Sequence, residues 1–254
     1  MAQIQPLGKQ DYNCQQSRFE HAPSLPTRMI LAGPYGAGKG VVLQIWCLHI
    51  YKNCVARIDV FSRTVHLDRG TGDPVKQYVA TDLKQDTDKE PGFFEDWDEK
   101  QRHSLAEHTK LIELLKQREG VKKLPSIAVI IDDFADNPEM THNPRNVITS
   151  LFVRGRHSMF STFVSTQQRR AISTPVRVNA TCDLVFRMRN QQEYEQIAEE
   201  MSDLVGKPQF HEIYNAATRE PFSFLTVKAN AKQLNETFMV RFEQYIQVED
   251  APPP

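Results

Sequence analysis

Short apolar runs alternate with amphipathic stretches through most of the 254 residues, the pattern of a mostly parallel sheet covered by helices on both faces. The runs predict strands at 28–32 (RMILA), 57–62 (RIDVFS), 126–131 (SIAVII), 161–166 (STFVST) and 182–187 (CDLVFR), with 222–229 (FSFLTVKA) as a further edge strand. Helices are expected from Gly38 onward, over about 104–117 and 146–155, and again at 190–205, where NQQEYEQIAEEMSDLV has helical periodicity. Residues 1–26 are polar, end in APSLP and read as an arm; residues 27–248 make the domain, and 249–254, with APPP, read as a disordered tail. Residues 68–100 are acidic and punctuated by Gly and Pro, so they are expected as an insertion over the sheet with a solvated face.

The length suits one large α/β domain with a buried core. With hydrophobic residues at 40%, charged residues at 25% and a formal net charge of -1, net charge will not draw the molecule to nucleic acid. Any such contact needs a local basic patch. Cys14, Cys47, Cys54 and Cys182 lack a CxxC pair, and His49, His66, His103, His108 and His142 form no metal-ligand spacing, so zinc and a disulfide framework are not expected. No apolar run approaches the ~20 residues of a membrane helix, and MAQIQPLGKQDYNCQQ lacks the basic start and apolar core of a signal peptide. A reducing compartment, cytosol or nucleus, is the expected setting. Trp46 reads as core, and FFEDWDEK as a hydrophobic anchor with acidic flanks.

The chemistry concentrates in AGPYGAGKGVV, residues 32–42, set between a buried strand and the start of a helix. Gly33, Gly36 and Gly38 permit backbone angles that gather N–H groups around an anion, and Lys39 can reach the outer phosphates of a nucleotide. The candidate phosphate loop therefore comprises Gly33, Pro34, Tyr35, Gly36, Ala37, Gly38, Lys39, Gly40 and Val41. The plainer alternative is a glycine-rich turn that merely joins strand to helix. Gly40 stands where the usual pattern has Ser or Thr, which removes the hydroxyl that touches Mg²⁺. A water can fill that ligand position, because magnesium habitually keeps several. The GKG ending also resembles the loop of adenylate kinases, except that Val41 follows where they have Thr.

SIAVIIDDFAD is a β-branched run ending in two carboxylates. In a phosphate-loop fold such a strand is expected beside the loop strand, delivering Asp132 to Mg²⁺ or its waters and Asp133 to the attacking water. A helix N-terminus or a turn is the alternative, since Asp is common where a strand ends. In LFVRGRHSMFSTFVSTQQRR, Arg154, Arg156 and His157 cluster before a strand and Gln167 stands at its end. An Arg can neutralise the charge developing on a transferred phosphate, and a polar strand-end residue can sense the γ-phosphate or hold water. The alternative for Arg154 and Arg156 is an exposed basic turn paired with acids. The basic clusters KQREGVKK (116–123) and QQRR (167–170) are candidates for DNA phosphate contact or, more ordinarily, solvated surface.

At these residues the sequence resembles the genome-packaging ATPases of poxviruses, giant viruses and virus-like Polinton (Maverick) elements, within the FtsK/HerA superfamily of P-loop motors. The resemblance rests on GPYGAGKG, VFSRTVHLDRGTGDPVKQYV, LPSIAVIIDDFAD, LFVRGRH with STQ, and TPVRVNATCDLVFRMRNQQEYEQIAEE, in that order over about residues 27–200. It implies a P-loop, RecA/FtsK-like α/β fold and an ATP- and Mg²⁺-dependent motor that assembles as a homo-oligomeric ring. Such a motor pumps double-stranded DNA into a capsid, with a capsid or portal component as partner, in the host cytoplasm or nucleus or in the virion. By the same resemblance Lys39 would bind phosphate, Asp132 and Asp133 would be the Walker B acids, Gln167 the strand-end sensor, and Arg154 or Arg156 a finger acting on a neighbouring subunit. The alternatives are a hydrolysis-deficient nucleotide-binding or assembly subunit, with Gly40 as its signature, and a nucleoside monophosphate kinase-like phosphotransferase.

Overall fold

The computed structural model describes residues 12–63, 69–86, 92–96, 99–133 and 147–248. The expectations for the 249–254 tail, for His66 and His142, and for part of the FFEDWDEK stretch fall outside these residues.

The strands are β1 (Arg28–Ala32), β2 (Arg57–Ser62), β3 (Phe93–Phe94), β4 (Ile127–Asp132), β5 (Phe160–Thr166), β6 (Cys182–Phe186), β7 (Phe224–Lys228), β8 (Phe238–Val240) and β9 (Gln244–Tyr245). Among the described residues they form one sheet in the order β3-β2-β4-β5-β1-β6-β7-β8-β9. From β3 to β6 all neighbours are parallel; β7, β8 and β9 extend the sheet antiparallel. The helices are α1 (Lys39–Ile45), continued by a wider π turn at Trp46–Ile50, then α2 (Arg69–Thr81), α3 (Glu99–Lys116), α4 (Val147–Arg154), α5 (Thr174–Val178), α6 (Gln191–Met201) and α7 (Lys207–Ala217).

Period-two alternation divides the core between the faces of the sheet. Along β1, Met29 and Leu31 join one cluster with Val42, Leu43 and Trp46 of the α1 segment, whereas Ile30 joins another with Ile148, Leu151 and Phe152 of α4. A third cluster seats α6 and α7 on β6, β7 and β8 through Val185, Ile197, Phe210, Leu225 and Phe238. The interior strands β4 and β5 are covered on both faces, which is why IAVII is continuously apolar. In β5 the serines and threonines 161, 162, 165 and 166 are buried as well.

Three expectations need correction, and the described part of the arm can be placed. Strand 222–229 is not an edge, because β8 and β9 lie beyond β7. The acidic 68–100 stretch, in its described parts, is no insertion over the sheet: it contributes α2 and then β3, the outermost parallel strand. The described part of the arm is packed down, with Cys14 and Leu25 buried and Asn13 bonded through its backbone to Lys122 and Leu124. Most consequential for the site, β4 is not beside β1, because β5 lies between them.

Candidate functional site

The parallel register brings three strand ends to one edge. Ala32 pairs with Thr166 and Asp132 with Ser165, and the ladder continues one step further as Gly33 N–H donates to Thr166 O (3.1 Å) and Asp133 N–H to Ser165 O (3.2 Å). The phosphate loop, the two acids and Gln167 therefore emerge side by side from β1, β4 and β5, at the carboxyl edge where open parallel sheets bind ligands. The intervening β5 is what carries Gln167 into the group.

Two glycines give the loop its shape. Gly36 and Gly38 take φ of 74° and 98°, the left-handed region in which a side chain is strained. Gly33 is needed for another reason: a Cβ there would lie 2.7 Å from Phe186 Cβ, so β6 could not approach β1 with any larger residue. Lys39 Nζ donates to Gly33 O (2.7 Å) and Pro34 O (3.1 Å), across the base of the loop. Burial lowers the Lys39 pKa, while the Asp132 and Asp133 carboxylates pull it back up. One ammonium thus shares a field with both acids, and phosphate oxygens are ready substitutes for its present carbonyl acceptors.

Asp132 is half-buried at the end of β4 and Asp133 is exposed. The Asp133 backbone turns to φ 57°, an uncommon conformation that Asp tolerates better than bulky residues. Gln167 Nε2 donates to Asp133 Oδ2 (2.9 Å) and Oδ1 (3.3 Å). The amide is thereby held with its nitrogen toward the carboxylate, which leaves its oxygen as an acceptor for a water proton.

Arg154, Arg156 and His157 are not brought to this site. They precede β5, and the seven residues of that strand separate them from Gln167 by roughly 20 Å at ~3.3 Å per residue. Both arginines are exposed; Arg154 Nη2 donates to Ser150 Oγ (3.1 Å), and Arg156 lies close enough to Arg28 for its charge to reinforce the pKa lowering that burial imposes there. The KQREGVKK cluster reaches the same edge, with Lys116 Nζ donating to His157 O at 2.6 Å.

The QQRR cluster is not a basic surface. Arg169 is 5% exposed, its Nε bonded to Asp183 Oδ1 at 3.0 Å and its Nη1 to Glu200. Burial by itself lowers its pKa, and the Asp183 and Glu200 carboxylates more than offset this, so the group is held firmly charged. Arg177 also binds Glu200 (2.9 Å), and Arg170 pairs with Glu193 (2.7 Å). This network ties the turn just after Gln167 to β6 and α6. Nothing local announced it, since the acids stand 14 and 31 residues from Arg169. A second unannounced neighbour is Phe222, which lies against Gly38.

A magnesium ion fits this donor set with few protein ligands. Among the described residues no group of three His, Cys, Asp or Glu is arranged to hold a metal, and Gly40 supplies no hydroxyl. Yet one or two carboxylates, waters and substrate phosphates are what Mg²⁺ ordinarily uses, and Asp132 is placed to serve.

The α/β fold with its mostly parallel sheet matches those of solved packaging and secretion ATPases. The chain is similar to the genome packaging NTPase B204 of Sulfolobus turreted icosahedral virus 2 in complex with ATP-gammaS, with 18% identity, 84% of this chain and 96% of that chain covered, and TM-score 0.53. The DNA-packaging ATPase B204 of Sulfolobus Turreted Icosahedral Virus matches at 15% identity over 82% of this chain and 95% of that one, TM-score 0.51. EssC (ATPases 2 and 3) from Geobacillus thermodenitrificans matches at 14% identity, TM-score 0.50, over 90% of this chain and 46% of EssC. No family model and no curated protein sequence matches the chain.

Proposed function

We propose that the protein is an ATP-driven motor that translocates double-stranded DNA into a viral or virus-like capsid. The observation that carries this reading is the convergence of Lys39, Asp132, Asp133 and Gln167 on one sheet edge; the likeness to a packaging NTPase solved with an ATP analogue supports it. Lys39 exchanges its loop carbonyls for phosphate oxygens and neutralises charge that grows on them. Asp132 holds Mg²⁺, which when bound offsets phosphate charge. Asp133 accepts a hydrogen bond from the attacking water, and Gln167 fixes that carboxylate and the water's second proton.

Arg154 and Arg156 serve a neighbouring copy's site in a homo-oligomeric ring, since they stand at the wrong edge to serve their own. DNA phosphates meet cations on the ring, with 116–123 as the candidate that retains exposed charge. A capsid or portal component is the further partner, and the host cytoplasm or nucleus, or the virion, the place of action. No helix among the described residues is long and apolar enough to cross a membrane.

The test is Mg²⁺-dependent ATP hydrolysis by purified protein, with and without double-stranded DNA, with Lys39→Ala as the blank. DNA-stimulated turnover that vanishes in the blank supports the motor. Gly40 favours one other reading, a subunit that binds nucleotide without hydrolysing it: ATP binding without turnover, switched on by Gly40→Ser, would decide for that. The monophosphate-kinase-like alternative has only the GKG ending of the loop in its favour.

A further inference from the structure

Phe222 sits in the turn between α7 and β7, two residues before Phe224. In a regular strand, residues two apart share a face, so Phe222 would follow Phe224 into the core beside Phe186, to which Phe224 packs at 5.0 Å between ring centroids. It does not. Its backbone adopts φ 60°, and 71% of the residue is exposed. A left-handed backbone is a genuine outlier for a bulky residue, and leaving a Phe in water forgoes the stabilisation of burial. The fold bears both costs at one position while its neighbours Ser223 and Phe224 are buried.

The ring swung out in this way lands on the phosphate loop. A carbon added at Gly38 would lie 3.4 Å from Phe222 Cδ1 and 3.7 Å from its Cβ, ordinary contact distances, so the ring lies alongside the loop at Gly38. Gly38 is the N-cap of α1 and immediately precedes Lys39. A triphosphate held by the loop and Lys39 must lead its ribose and base away from this point. An exposed aromatic face beside the loop matches the flat face of a heterocycle.

We propose that Phe222 is the base-stacking residue of the nucleotide site, holding the nucleobase by its face. This rests on the nucleotide-binding reading given above and adds how the substrate is told from bare phosphate. Stacking uses the π-face that every base has and reads no hydrogen-bonding edge. Phe222 therefore contributes affinity for the nucleoside part without choosing between adenine and guanine.

Calorimetric titration of the full chain with ATP and with inorganic tripolyphosphate, for wild type, Phe222→Ala and Phe222→Trp, tests this. The exposed position makes both variants compatible with the fold. Loss of the stack is expected to weaken ATP about tenfold, while tripolyphosphate binding stays within about twofold and Phe222→Trp retains wild-type ATP affinity. Unchanged ATP affinity in Phe222→Ala overturns the stack and leaves the nucleotide site standing. Equal weakening of ATP and tripolyphosphate also overturns it, because the ring would then be shaping the loop. Wild-type protein that binds neither compound overturns the nucleotide reading itself, and the stack with it.

Discussion

The two edges of the parallel sheet carry opposite chemistry. At the carboxyl edge stand a glycine loop, one half-buried lysine and two aspartates, with left-handed backbone at Gly36, Gly38, Asp133 and Phe222. At the amino edge stand the partly buried Arg28 and Lys116 and the exposed Arg154, Arg156 and His157. A single buried strand, β5, contributes Gln167 to the first and follows the Arg154–His157 turn at the second. Residues adjacent in sequence to a site are thus not members of it. Under the proposed function, the cations at the amino edge act on phosphate where another copy's carboxyl edge meets them.

The largest effect separating the edges should come from Lys39→Ala or Asp133→Asn, each expected to lower ATP turnover by roughly 10²–10³-fold. In steady-state assays Asp133→Asn should keep ATP binding; equal loss of binding and turnover would remove its assigned role. Stability provides the next test, at the amino edge. His108 packs on Phe160 at 5.0 Å, and burial, reinforced by the Arg57 charge and opposed by a hydrogen bond at Ser158, lowers its pKa to about 4. The folded state therefore resists protonation. The unfolded chain takes its proton as pH falls below 6.5, so the contribution is complete above 6.5 and is lost between 6.5 and about 4. Urea unfolding should lose roughly 2–3 kcal/mol more in wild type than in His108→Phe over that window. A parallel pH profile in the variant would show His108 to be solvated.

Most diagnostic of the contrast is Arg156→Ala or Arg154→Ala, of which the one that serves the neighbouring site is expected to lower turnover by about 10²-fold. Mixing such a variant with Lys39→Ala should restore part of the activity, because mixed assemblies pair an intact loop with an intact arginine. Failure of every mixture to recover turnover would confine both arginines to a surface role. The smallest change is expected from Gly40→Ser in an active protein, a few-fold in Mg²⁺ requirement, since a water could stand in for the hydroxyl that Gly40 lacks.

Much of this was legible in the residues. RMILA and RIDVFS are strands at the bounds their apolar patterning predicts, and the chain order of loop, acids and strand-end glutamine was enough to name the carboxyl-edge group. What escaped was set by contacts distant in sequence. FF at 93–94 and QY at 244–245 are too short to show a period, so the true sheet edges were hidden. Arg169 looks like part of a basic surface until Asp183 and Glu200 fold around it. The position of β5 between β4 and β1 is a fact of topology, which alternation along one chain does not encode. Phe222 looked like the opening residue of a strand, because period two cannot foresee a left-handed turn.

The buried β5 also fixes a spacing. With all seven residues sheltered it acts as a ruler between the Gln167 amide and the Arg154–His157 turn, and in stacked or circular assemblies its length would set the pitch from one site to the next. One residue inserted in it would not merely lengthen that pitch by ~3.3 Å. It would exchange the faces of every side chain beyond the insertion, so the gauge admits no small adjustment.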